Sequence, residues 1–105
     1  MIEKKLEQLI EILLDKNEEM GARDDAAMNL RKYDHPLALE SLLKIASTPD
    51  KDEEFLADVC GESIAKILLR TNHFDAKYLE KMIPTARREA IAVITENKPE
   101  WLKRN

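Results

Sequence analysis

The sequence predicts an all-α domain, a short α-solenoid or α–α superhelix of about three helical hairpins. Apolar residues recur at the three-to-four spacing of a helix face, and no stretch alternates with a period of two for long enough to make a strand. The chain has only 2 Gly and 5% aromatic residues, a poor endowment for a sheet. A Leu-Glu-x-apolar-apolar pattern also occurs three times, at Leu6-Glu7-Gln8-Leu9-Ile10, Leu39-Glu40-Ser41-Leu42-Leu43 and Leu79-Glu80-Lys81-Met82-Ile83.

The first helix is read from Ile2, Leu6, Leu9, Ile10 and Leu13, which fall on one face opposite charged residues, and it should end near Asn17 to Gly21. The second spans Ala22 to Tyr33 with Ala26, Ala27 and Leu30 inward. Asp24 and Asp25 would then lie in its first turn, where the helix dipole favours acids. Asp34-His35-Pro36 breaks it, and Pro36 suits the first turn of a third helix that buries Leu39, Leu42, Leu43 and Ala46 and stops at Ser47-Thr48-Pro49. A longer fourth helix runs from about Asp52 to Arg70. Phe55, Leu56, Val59, Cys60, Ile64, Ile67 and Leu68 give it a broad inward face, and Thr71-Asn72-His73 closes it. Asp75 caps a fifth short helix through Met82. Pro84 starts a sixth, carrying Ala86, Ala90, Ile91 and Ile94, before Asn97-Lys98-Pro99 and a tail with Trp101 and Leu102.

The second members of the hairpins superimpose as well: Ala22, Ala26 and Leu30 align with Leu56, Cys60 and Ile64, and with Ala86, Ala90 and Ile94. A single hairpin cannot bury its apolar side, whereas stacked copies share a continuous core, so the reading is one domain over residues 1–105. Its repeats cover about 2–34, 36–71 and 75–98, in a right-handed stack with a C-terminal tail. The third copy has only Pro84 and Thr85 between its apolar runs, as befits a terminal repeat.

Three segments carry a resemblance to a known family. These are Asp34 to Leu43, the Pro49-Asp50 turn, and Ala57 to Ile67 with Cys60-Gly61 inside it. They resemble HEAT-like repeats, particularly the short kind of phycobilisome lyases, over Ala22 to Arg70. The resemblance implies a scaffold whose second helices line the binding surface. This chain departs from the pattern in its shortened third turn and in lacking a regular Arg in each second helix.

Composition narrows the function. A net charge of −4 opposes phosphate binding and suits a basic partner, so no nucleic acid is expected. Glu3, Lys4, Lys5, Glu7 and Glu11 interrupt the N-terminal apolar face, so neither a signal peptide nor a membrane span is expected, and the chain is read as cytoplasmic. Cys60 is the single cysteine. With His35 and His73 in separate turns, no metal site, cofactor or disulfide is expected. Cys60 shares its repeat position with Ala26 and Ala90 and reads as packing, beside a Gly61 that permits close helix approach.

The partner-binding candidates are Asp24, Asp58 and Arg88, which align on the outer side of the second helices, the stripe Glu54, Asp58 and Glu62, and Trp101 in the tail. The expectation is a monomeric, non-enzymatic protein-binding module that holds a basic protein. Its most concrete form is a bacterial immunity protein that occludes the active cleft of a co-encoded nuclease-type toxin. An assembly adaptor or scaffold subunit is the alternative, followed by a HEAT-like nucleic-acid enzyme or lyase.

Overall fold

A computed structural model describes residues 3–103, which form six α-helices and two short 3-10 turns. The helices are α1 (Lys4–Leu14), α2 (Met20–Leu30), α3 (Pro36–Ala46), α4 (Glu54–Thr71), α5 (Ala76–Lys81) and α6 (Pro84–Asn97). The 3-10 turns are Lys51–Glu53 and Pro99–Leu102. Consecutive helices pair as α1–α2, α3–α4 and α5–α6. α1, α3 and α5 stack as one layer, and α2, α4 and α6 as the other. The overall extents are 44 × 34 × 19 Å, and the thin dimension is that of two helices laid one on the other.

Local signals set most boundaries. Pro36 and Pro84 occupy the first turns of α3 and α6, where the missing N–H costs no hydrogen bond. The His35 ring nitrogen Nδ1 accepts from the Leu37 amide at 3.1 Å, and Asp75 Oδ1 accepts from the Lys77 amide at 2.9 Å, so both residues cap their helices. α4 ends at Asn72, whose left-handed φ of 53° lets the His73 amide reach back to the Leu68 carbonyl at 3.0 Å. Asn takes the place of the usual glycine because its short side chain tolerates that conformation.

Two of the three aligned sets are buried throughout, whereas in the third Leu56 and Ala86 are buried and Ala22 only half-buried. Ala26, Cys60 and Ala90 are buried at one equivalent position, and Leu30, Ile64 and Ile94 at another. Gly61 lies at a close approach of α4 to α6, where a Cβ would stand 2.4 Å from the Ala86 carbonyl oxygen. Ser63 Oγ donates to the Ala27 carbonyl at 2.9 Å and accepts from Arg31 Nε at 3.1 Å, which pins α2 to α4.

Three sequence expectations are corrected. Phe55 is 68% exposed and not part of the inward face of α4. That face is carried by Leu56, Cys60, Ile64, Ile67 and Leu68, and Phe55 stands a full helical step away from it. The second helix runs from Met20 to Leu30, two residues earlier than the Ala22 start, so Asp24 and Asp25 lie beyond its first turn and the dipole does not explain them. The first helix stops at Leu14, short of Asn17. Ile2, assigned to its apolar face, lies outside the described residues.

A regular Arg in each second helix is absent, as expected, but two of the three helices do carry one at the same position. Arg23 in α2 and Arg87 in α6 occupy the same repeat position, which is Ala57 in α4. Each turns back onto the end of its own repeat's first helix. Arg23 Nε donates to the Leu13 carbonyl at 2.9 Å, and Arg87 Nε donates to the Leu79 carbonyl at 2.8 Å. Both are carbonyls in the last turns of α1 and α5, where the helix ladder runs out; Leu79 also accepts from the Met82 amide at 3.2 Å.

Candidate functional site

The outer side of the second-helix layer is built by register. Two residues before the buried Ala26, Cys60 and Ala90 come Asp24, Asp58 and Arg88, a step that turns each side chain away from the core. Asp24 and Asp58 are half-buried, and Arg88 is exposed. One carboxylate oxygen of Asp24 and one of Asp58 are shut off from solvent without a hydrogen-bond partner. An unmet acceptor of this kind costs about 1–3 kcal/mol, and here it recurs at equivalent positions of neighbouring helices.

The Asp24 carboxyl is raised above its usual 3.8, first by desolvation and then by repulsion from Asp25, with Arg23 acting the other way. A carboxyl whose folded-state pKa exceeds its unfolded value detracts from stability once it ionises. This penalty is absent well below the usual value and grows as pH rises through the raised one.

The remaining predicted residues fall at different places. Glu54, in the first turn of α4, is exposed over a cleft that it shares with Ile83, Pro84 and Thr85. Glu62 bonds to Arg31 at 3.1 Å in a pair that solvent reaches, so part of its charge is already answered. Glu54, Asp58 and Glu62 share one helical stripe. Trp101 is not part of this surface. Its ring stacks on Phe74 with centroids 5.0 Å apart, and Lys98 Nζ stands 5.1 Å from it. α6 rises about 14 Å between Arg88 and Asn97 at ~1.5 Å per residue, so the tail lies well along α6 from Arg88 and packs beside Phe74.

Three residues, Phe55, Met28 and Arg23, stand where the sequence reading did not assign them. Phe55 stands at i, i+3 and i+7 with Asp58 and Glu62, an exposed aromatic on the acidic stripe. The charges at those spacings were the signal that its helix phase points to solvent. Met28, at the α2 position equivalent to Glu62, is 42% exposed and adds a second apolar group to the same side of the layer. Arg23, which the sequence reading passed over, is only 1% exposed, and its Nη1 donates to Glu53 of the next repeat at 2.8 Å. No local pattern announces a buried Arg. Only its repeat partner Arg87 does.

Cys60 is fully buried, and burial, followed by the nearby Asp24 carboxylate, pushes its thiol far above the usual thiol range. Thiolate, not thiol, is the reactive form. Native protein should therefore leave a disulfide reagent such as DTNB unreacted at about pH 8 over hours, and release one equivalent at once in denaturant. Fast native reaction would mean that α4 opens around Cys60.

Among the described residues, no helix is long and apolar enough to cross a membrane, and no group of three or more His, Cys, Asp or Glu is placed to hold a metal ion. No family model, no curated protein and no solved structure matches this chain.

Proposed function

We propose that this chain is a protein-binding module that takes a basic protein on the outer side of α2 and α4. In its most concrete form it is an immunity protein that covers the substrate cleft of a co-encoded nuclease-type toxin. The observation that carries the reading is the paired state of Asp24 and Asp58, equivalent acids on neighbouring helices that each keep a buried oxygen without an internal donor. Partner Lys or Arg groups would pair with the outer oxygen of each carboxylate and so offset the charge that the inner, donorless oxygen shares. Phe55, flanked by Glu54 and Asp58, adds the exposed aromatic anchor on which binding energy concentrates. A cleft built to hold phosphates is rich in Lys and Arg, so an acidic surface is its electrostatic complement, speeding encounter and fixing register. The resemblance to HEAT-like repeats supports the scaffold half of the reading by analogy.

The test is titration calorimetry against the purified product of the adjacent reading frame, together with that product's nuclease activity. Asp24→Lys combined with Asp58→Lys should weaken binding at low salt by about 100-fold or more, and Phe55→Ala by about 30-fold, with nuclease activity restored in parallel. Unchanged affinity in both variants would place the contact elsewhere. A neighbouring product with no affinity for the wild type would remove the immunity reading.

A further inference from the structure

The other layer carries a second surface of a different kind. Between α1 and α3 runs an open groove of about 500 Å³ whose apolar floor is Ile10, Leu14 and Leu37, the last of these 41% exposed. Glu7 and Glu11 rise along one side, and Glu40 along the other, with Lys44 at one end. On α1 the lining falls at 7, 10, 11 and 14, and on α3 at 37, 40, 41 and 44. The two stripes share the same i, i+3, i+4, i+7 spacing and are each about 10 Å long at ~1.5 Å per residue.

We infer that this groove docks about two turns of an amphipathic helix whose apolar stripe is bordered by Lys or Arg. Charge decides the class of occupant. Three acids face one base around the floor, and among the described residues none of the four takes part in an ion pair. A neutral or acidic segment seated on the floor would strip water from Glu7, Glu11 and Glu40 without replacing it, which disfavours it. A basic border returns an ion pair to each. The Ser41 hydroxyl offers no donor to the groove, because it already bonds to the Leu37 carbonyl at 2.8 Å and the Ala38 carbonyl at 3.1 Å. The floor therefore recognises apolar side chains, and a helix fits it because a helix brings its own backbone hydrogen bonds to a surface that presents no free backbone edge. The groove belongs to the first-helix layer and does not depend on the proposed binding side of α2 and α4.

The test uses two fluorescein-labelled amphipathic peptides of equal length, one built of Leu and Lys and the other of Leu and Glu, titrated into the full chain by anisotropy. The Leu–Lys peptide should bind and the Leu–Glu peptide should not. Leu37→Asp should weaken the Leu–Lys peptide by at least about tenfold, as should Glu7→Lys combined with Glu11→Lys, both of which are exposed positions. Phe55→Ala should leave the titration unchanged, which separates this site from the one proposed on α2 and α4. Equal binding of the two peptides, or loss with Phe55→Ala but not with Leu37→Asp, would overturn the inference. So would wild-type dimerisation abolished by Leu37→Asp, since a second copy would then be the occupant.

Discussion

Gly61→Ala is expected to lower the thermal midpoint by about 10 °C or more, a loss near 2–3 kcal/mol, although alanine is the better helix former by about 1 kcal/mol. The reason is the obstacle. An added Cβ would meet the Ala86 carbonyl oxygen at 2.4 Å, its carbon at 3.0 Å and its Cα at 3.2 Å, and all three are backbone atoms. No rotamer change can clear them, so α6 itself must move away from α4. These two helices share the most extensive interface in the protein, where Leu68, Ala86, Ala90 and Ile94 are all buried. Opening that seam costs contacts along its whole length, because packing forces fall off within fractions of an ångström. Gly21→Ala is the control: nothing lies within 4 Å of its added Cβ, so the midpoint should hold or rise slightly. Calorimetry on the two variants checks the claim, and a Gly61→Ala midpoint equal to the wild type would show that the seam yields freely.

The second large effect concerns the bond between the first two repeats. Glu53→Ala should cost about 3 kcal/mol or more, and Arg23→Met clearly less. Arg23 is 1% exposed on its side chain and Glu53 12%, at 2.8 Å, so removing the acid strands a guanidinium away from water. The guanidinium cannot shed its charge, and one of its nitrogens, Nη2, already lacks a partner. Methionine at position 23 removes the charge and fills much of the space. What remains is an unmet Leu13 carbonyl, worth about 1–3 kcal/mol, and a Glu53 carboxylate without its cation, which unlike a guanidinium can take up a proton or turn toward water. Urea unfolding of both single variants and the double variant gives the ranking. If Arg23→Met proved the costlier change, the bond to the Leu13 carbonyl and not the ion pair would be the chief tie. Of the four ion pairs among the described residues, this one is the most deeply buried. The pair of Arg70 and Asp34 is solvent-exposed and should contribute little.

How much of this was readable in advance varies by element. α3, α5 and α6 begin where Pro36, Asp75 and Pro84 say they should, because those residues act on the nearest few backbone groups and need no tertiary partner. α2 was misplaced for a definite reason. Its polar and apolar residues are hardly segregated, since Arg23 is buried and Met28 exposed, so periodicity holds almost no information about its face. The repeat alignment supplied the register there, placing Ala26 and Leu30 in the core beside their equivalents. Phe55 was misread because an aromatic next to Leu56 was counted with the apolar face, although its own spacing to Asp58 and Glu62 pointed outward.

The same division holds for the candidate sites. Asp24, Asp58 and Glu62 were found as aligned charges, yet their differing states were not visible in the chain. Glu62 is answered by Arg31, whereas Asp24 and Asp58 each keep an oxygen with no donor. The groove of Ile10, Leu14 and Leu37 was not visible at all, because its two stripes are separated along the chain and become neighbours only when α1 and α3 stack.

The sequence by itself determined the all-helical class, the three hairpins and the equivalence of their positions, since these follow from helix periodicity, local capping and a repeated pattern. Tertiary structure alone decided which charges are buried, which apolar residues stay in water and where two stripes meet to make a surface. Burial and charge pairing depend on what a neighbouring repeat places opposite each residue, and that information is distributed over the chain and not written at any single position.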